Sequence, residues 1–295
     1  MPARKPPQLH LSAPADWRVV HRAGFGPFTT LVDYLLPDGR LRRWTSRRQR
    51  KADLVAAENG FRRIPTRTWA IASWFSIGAS LFALGSWEPW ISAVSGRTDA
   101  NTYFIGSLFF TAAAYLSFTE VTGTPESLEA GTRRHVRLLA WRPHRIDWWA
   151  AGIQLIGTVA FNLSTWDSRL APQLSTARAN ELVWAPDVFG SVCFLVSSYL
   201  SWAEVCHSAG RLRLRDISWW IVAINLVGSV LFGISAIGAF YVRRGVEWNQ
   251  SLVNTTTLWG AFCFLVAAVM LVPESRRGVE ATQPAPGQSS SSSAR

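Results

Sequence analysis

Six stretches of this chain contain no Asp, Glu, Lys, Arg or His: residues 68–87, 100–119, 148–166, 188–203, 217–242 and 248–273. A soluble helical bundle shows charge on the outer face of its helices, and runs of this length exclude it. A helix crossing roughly 30 Å of hydrocarbon needs about 20 apolar residues, and five runs have 19 or more. The fourth, with 16, is short. Cysteine is scarce at 3 residues, Cys193, Cys206 and Cys263. Two of them belong inside apolar runs and the third near a run's end, so no disulfide framework is expected. Lysine numbers 2 against 28 arginines, with abundant alanine, a composition that GC-rich bacterial coding produces. Residues 1–20 hold no continuous apolar core and are interrupted by Pro6, Pro7 and Pro14, so no signal peptide is expected and insertion falls to the first helix.

Enzyme signatures are missing as well. The five histidines (His10, His21, His135, His144, His207) lie outside the apolar runs without metal-site spacing. No phosphate-binding glycine loop, paired intramembrane carboxylates or Ser-His arrangement occurs. No catalytic residue, cofactor or metal is expected, and the chain is not expected to be an enzyme.

What is present is a hairpin written three times. Its first half carries Trp69/Gly78/Phe82, Trp148/Gly157/Phe161 and Trp219/Gly228/Phe232; its second carries Gly106/Phe110/Glu120, Gly190/Phe194/Glu204 and Gly260/Phe264/Glu274. Fixed periods of this kind decide a fold before other signals do. The expected fold is an all-α membrane protein of six transmembrane helices in three tandem hairpins. With a rise of about 1.5 Å per residue, Gly78 is level with Phe110, and Phe82 with Gly106. Small residues let helices approach closely in a membrane, so reciprocal Phe-into-Gly packing is expected in each hairpin. Most of the 16 tryptophans fall at run ends, where indoles anchor to the headgroup layer.

Charge placement sets the orientation, because Lys and Arg gather in cytoplasmic loops. The N-terminal region, the second and fourth loops and the tail share 25 of them; the opposite side has 5. Both termini are therefore expected in the cytoplasm, across a bacterial inner membrane. The net charge of +11 reports this asymmetry. Its expected partner is anionic lipid, not nucleic acid, and no protein partner is readable.

Residues 1–66 read as a basic cytoplasmic segment. Residues 30–36 and 40–45 form two extended runs about the Pro37-Asp38-Gly39 turn, and Ser46 is placed to cap a helix reaching Ala57 and ending at Asn59-Gly60. Hairpin one covers 67–121, the second loop and hairpin two 122–206, and hairpin three 207–275; residues 276–295 read as a disordered tail. Thr68, Asp147 and Ser218 precede the tryptophans as candidate helix caps. Glu120, Glu204 and Glu274 end the even helices, where the dipole disfavours negative charge. Arg67, Arg145 and Arg215 are their nearest candidate partners, and a pore-mouth ring is the competing reading. Gln154 and Asn225 share one hairpin position, for interhelical hydrogen bonding or for facing a solute.

The hairpin resembles the YrhK-like domain of small bacterial membrane proteins. The residues that carry the likeness are Gly78-Ala79-Ser80-Leu81-Phe82 with Phe104-Ile105-Gly106-Ser107-Leu108-Phe109-Phe110, and Gly228-Ser229-Val230-Leu231-Phe232. Hairpin three departs from it, with Ala261 for the second Ser and Pro273 just before its Glu. The resemblance implies a multi-pass membrane protein without an established activity and supplies no catalytic residues. Two functions fit: a non-enzymatic membrane scaffold or interaction protein, or a passive facilitator of a small neutral or weakly cationic solute. A Gly- and Phe-packed centre would favour the first, and a continuous polar path the second.

Overall fold

A computed structural model describes residues 11–52, 66–128 and 138–280. The chain begins with a three-stranded antiparallel sheet in sequence order, β1 (Arg18–Phe25), β2 (Phe28–Leu35) and β3 (Leu41–Thr45). The Pro37-Asp38-Gly39 turn joins β2 to β3, with Gly39 at φ +81°, a conformation that needs no Cβ. Strand β1 is absent from the sequence reading. Its outward half, Arg18 to His21, is exposed and mixes charge with Val19 and Val20, so no clean alternation marks it.

Helix α1 (Ser46–Ala52) follows directly. The expected continuation to Ala57 and Asn59-Gly60 lies outside the described residues. Then come α2 (Thr66–Gly85), the short α3 (Glu88–Ala93), α4 (Gly96–Gly123) and α5 (Ile146–Ser168). After a 3₁₀ turn (Ala171–Gln173), α6 (Thr176–Ala179) and a π-helical turn (Asn180–Trp184) lead without a break into α7 (Ala185–Cys206). The short fourth run thus lies in a helical stretch of 31 residues, Thr176–Cys206. Asp187, which limits the run in sequence, lies inside this stretch, one residue after Pro186. The chain ends with α8 (Ile217–Gly238), the β4 (Tyr241–Arg243) and β5 (Val246–Glu247) ribbon, and α9 (Gln250–Glu280).

Five stretches are long and apolar enough to cross a membrane: Arg67–Gly85, Gly96–Gly123, Thr176–Cys206, Ile217–Gly238 and Gln250–Ser275. The protein is a multi-pass membrane protein. Helix α5 is not among the five; Gln154, Asn162 and three tryptophans dilute its 23 residues.

The six long helices close into a ring. Neighbours in sequence pair as α2 with α4, α5 with α7 and α8 with α9, while α4–α5, α7–α8 and α9–α2 complete the circle. At its centre Phe82, Phe110, Phe161, Phe194, Phe232 and Phe264 are all buried in one cluster. Phe110, Phe194 and Phe264 form a triangle with centroids 5.8–6.4 Å apart. Phe82 and Phe161 each lie against Phe232, at 5.8 and 6.1 Å. The two groups stack, with Phe82 against Phe110, Phe161 against Phe194 and Phe232 against Phe264 at 5.1–5.3 Å.

Glycines make this layer possible. A Cβ on Gly78 would meet the Phe110 ring at 3.1 Å, on Gly157 the Phe194 ring at 3.0 Å, and on Gly228 the Phe264 ring at 3.2 Å. In return Gly106 faces Phe82, Gly190 faces Phe161 and Gly260 faces Phe232, at 2.6–3.1 Å. Polar side chains tie neighbouring hairpins: Ser107 to Thr165 at 3.0 Å, Asn162 to Thr111 at 2.9 Å, and Ser198 to Ser229 at 2.7 Å.

Candidate functional site

Glu120, Glu204 and Glu274 lie toward the C-terminal ends of α4, α7 and α9 and are nearly fully buried, Glu204 to 1 % exposure. A buried carboxylate costs several kcal/mol of hydration unless cations and hydrogen-bond donors replace the water. The donors come from α1. Arg47, Arg50 and Lys51 are spaced i, i+3, i+4, which places them on one face of a helix. That face enters the end of the ring where the sheet lies, and each cation meets one glutamate. Lys51 Nζ is 3.3 Å from Glu120. The Arg50 guanidinium donates to both Glu204 oxygens at 3.2 and 3.3 Å. Arg47 grips Glu274 through Nε at 2.7 Å and Nη2 at 3.1 Å.

Two expectations are corrected here. Arg145 does not hold a glutamate; it donates to Asp147 at 2.9 and 2.6 Å. Arg67 and Arg215 have no acidic partner among the described residues. The carboxylates face the ring axis, where α1 lies, whereas Arg215 is exposed on its loop. The cap residues also differ. Ser46 Oγ donates to Glu204 at 2.6 Å and Ser218 Oγ to Glu274 at 2.6 Å; Asp216, not Ser218, caps α8. Asp147 is buried in the first turn of α5 and accepts from Arg50 at 2.6 Å. The Thr68 hydroxyl is buried without a partner among the described residues.

Burial opposes the charge of Arg50, but Glu204 and Asp147 outweigh it and hold its pKa above the ordinary arginine value. Burial likewise opposes the charge of Arg145, and Asp147 overcomes it. Among the described residues, four cations (Arg47, Arg50, Lys51, Arg145) face four anions (Glu120, Asp147, Glu204, Glu274), so their charges balance.

Beneath α1 lies a cavity of about 140 Å³, enough for several waters. Phe110, Phe194 and Phe264 form its floor, and Ser117, Ser201, Gln154 and Asn225 supply polar walls. The Gln154 and Asn225 side chains make no hydrogen bond among the described residues, which leaves their amides turned to this cavity rather than to each other. Interhelical bonding is supplied elsewhere, by the Ser, Thr and Asn162 pairs.

The sheet is seated by further contacts. Thr30 Oγ1 and His207 Nδ1 are 2.9 Å apart, and Phe25 stacks edge-on against Tyr199 of α7. At the other end of the ring, burial and then the neighbouring Asp187 charge push Glu247 up to about 7. No group of three or more His, Cys, Asp and Glu among the described residues is arranged to hold a metal.

Sequence reasoning missed Arg47, Arg50, Lys51 and Asp147 as site residues. The i, i+3, i+4 cations beside three apolar runs that each end on Glu were the available signal. Compared with family models, curated proteins and solved structures, the chain matches none.

Proposed function

We propose that the chain is a six-span bacterial inner-membrane protein of three tandem YrhK-like hairpins, both termini cytoplasmic, acting as a non-enzymatic scaffold. Its ring fixes the N-terminal sheet at the membrane surface. The observation that carries this reading is the clasp: one helix face gives one cation to the terminal glutamate of each hairpin, above a centre filled by six phenylalanines. Such an arrangement immobilises a cytoplasmic element and blocks the axis. The 25-to-5 distribution of Lys and Arg supports the orientation, and the basic face beside it suits anionic lipid as partner.

A second reading rests on the cavity. If α1 withdrew and the phenylalanine layers parted, Gln154 and Asn225 would line the entrance of a passive facilitator for a small neutral solute.

Urea and glycerol permeation into proteoliposomes, followed by light scattering, separates the two. The full chain should be no faster than protein-free vesicles, and so should the Arg47→Ala/Arg50→Ala/Lys51→Ala variant. Permeation by the full chain overturns the scaffold reading. Permeation by the variant alone makes α1 a plug.

A further inference from the structure

A groove of about 720 Å³ runs between α1 and the loop before α8. It is cationic, lined by Arg43, Arg47, Arg48, Lys51, Arg213 and Arg215 against Asp216 and Glu274. Four of the six cations are already engaged. Arg43 is held by Asp33 at 2.7 Å, Arg47 by Glu274 at 2.7 Å and Lys51 by Glu120 at 3.3 Å. Arg213 lies 3.9 Å from Asp216 and donates to the Val205 carbonyl. Arg48 and Arg215 have no acidic partner among the described residues. One comes from the face of α1 that the clasp does not use and the other from the α7–α8 loop, so two uncompensated guanidiniums reach one concavity from separate elements.

The rim of the groove is apolar. Leu212 and Leu214 line it at 70 % and 59 % exposure, and exposed Trp220, in the first turn of α8, anchors its indole on the Leu214 carbonyl at 2.9 Å. A free anion would gain nothing from these leucines. A phosphodiester with acyl chains attached would use both halves, its phosphate between the guanidiniums and its chains descending along α8.

We infer that this groove binds the headgroup of one anionic phospholipid from the leaflet that faces the sheet, with Arg48 and Arg215 as its phosphate ligands. The inference rests on the six-span reading, which places the first turn of α8 at the lipid–water boundary. The groove's excess of two positive charges matches an anionic headgroup, while a zwitterionic one brings its own cation into a site that already has too many.

The test is native mass spectrometry of the full chain in detergent, titrated with phosphatidylglycerol or phosphatidylcholine of identical chains. Phosphatidylglycerol should be retained about 25-fold better, since each of the two near-surface arginines is worth roughly fivefold in attraction to anionic lipid. Arg48→Gln/Arg215→Gln should bring the two lipids to parity with the melting temperature unchanged, because both residues are exposed. Arg97→Gln/Arg243→Gln, at the far end of the ring with the same loss of charge, should keep the preference. Equal retention by the unaltered chain, or equal loss in both variants, overturns the site. Competition by millimolar inorganic phosphate makes it a free-anion site and overturns the lipid assignment. Failure of the membrane reading looks different: the chain would stay dispersed without detergent and retain neither lipid.

Discussion

Gly157 and Gly233 lie in helices of the same ring with opposite surroundings. A Cβ on Gly157 would meet Cys193 Cβ at 2.8 Å and the Phe194 ring at 3.0 Å, whereas nothing lies within 4 Å of one on Gly233. Alanine favours a helix over glycine by about 1 kcal/mol, so Gly233→Ala should raise the melting temperature in detergent or leave it unchanged. Gly157→Ala should lower it despite that propensity, because overpacking costs roughly 1–3 kcal/mol. Equal shifts would show that the Gly–Phe contact does not set helix spacing. His207 makes a second residue-scale case. It sits at φ +53° with Nδ1 on Thr30 and Nε2 buried without a partner among the described residues. Burial first, then the Arg213 charge, lowers its pKa from 6.5 to about 4. The unfolded chain therefore binds a proton between pH 6.5 and about 4 that the folded chain refuses, and stability falls as pH falls through that window. His207→Asn tolerates the left-handed backbone and cannot titrate. Melting curves from pH 7.5 to 4.5 should be steeper for the unaltered chain, and parallel curves would exclude His207 as a source of acid sensitivity.

Helix α1 has 7 residues, too few to be helical in water without tertiary support. Its clasp supplies that support, and the dependence runs both ways. Arg50→Met leaves Glu204 buried with Ser46 as its remaining donor, at a cost of about 3–5 kcal/mol, while Asp147 keeps Arg145. Adding Glu204→Gln should return much of the loss, since the orphaned charge is gone. Arg48→Met, an exposed change, should stay within about 0.5 kcal/mol. Melting of the four proteins measures this, and strict additivity of Arg50→Met and Glu204→Gln would mean that the two residues do not interact. The Pro37-Asp38-Gly39 turn and the start of α1 were legible in the sequence because turn and helix signals are local. The partners of the glutamates were not. The paired residues are 69, 154 and 227 positions apart, and choosing by sequence proximity selected Arg145, which Asp147 holds, and Arg67 and Arg215, which have no acidic partner among the described residues. Hydropathy marks where a helix ends but not which distant side chain shares the ring axis.

At the scale of the molecule, the level pairing of Phe with Gly was readable because helical rise converts sequence distance into depth. How hairpins meet one another was not, since Phe82 against Phe232 depends on closing a ring. That ring bears on α5, whose hydropathy leaves it outside the five apolar spans. Gly157 and Phe161 of α5 face Phe194 and Gly190 of α7, and Asp147 at the start of α5 reaches Arg50 at the clasp. A helix that joins both layers runs alongside its neighbours for their depth, and on the proposed six-span reading it crosses with them. Five and six spans place the C-terminus on opposite sides, so the difference is measurable. With six, reporter fusions after Gly96, Ala177 and Gly245 should read as external and those after Leu139, Gly210 and Glu280 as cytoplasmic. If α5 stayed on the cytoplasmic side, every fusion after it would invert: Ala177 cytoplasmic, Gly210 external, Gly245 cytoplasmic and Glu280 external. That pattern would separate Glu204 from α1 by the thickness of the membrane and remove the clasp, whereas the six-span pattern brings all three glutamates to the side where Arg47, Arg50 and Lys51 reside.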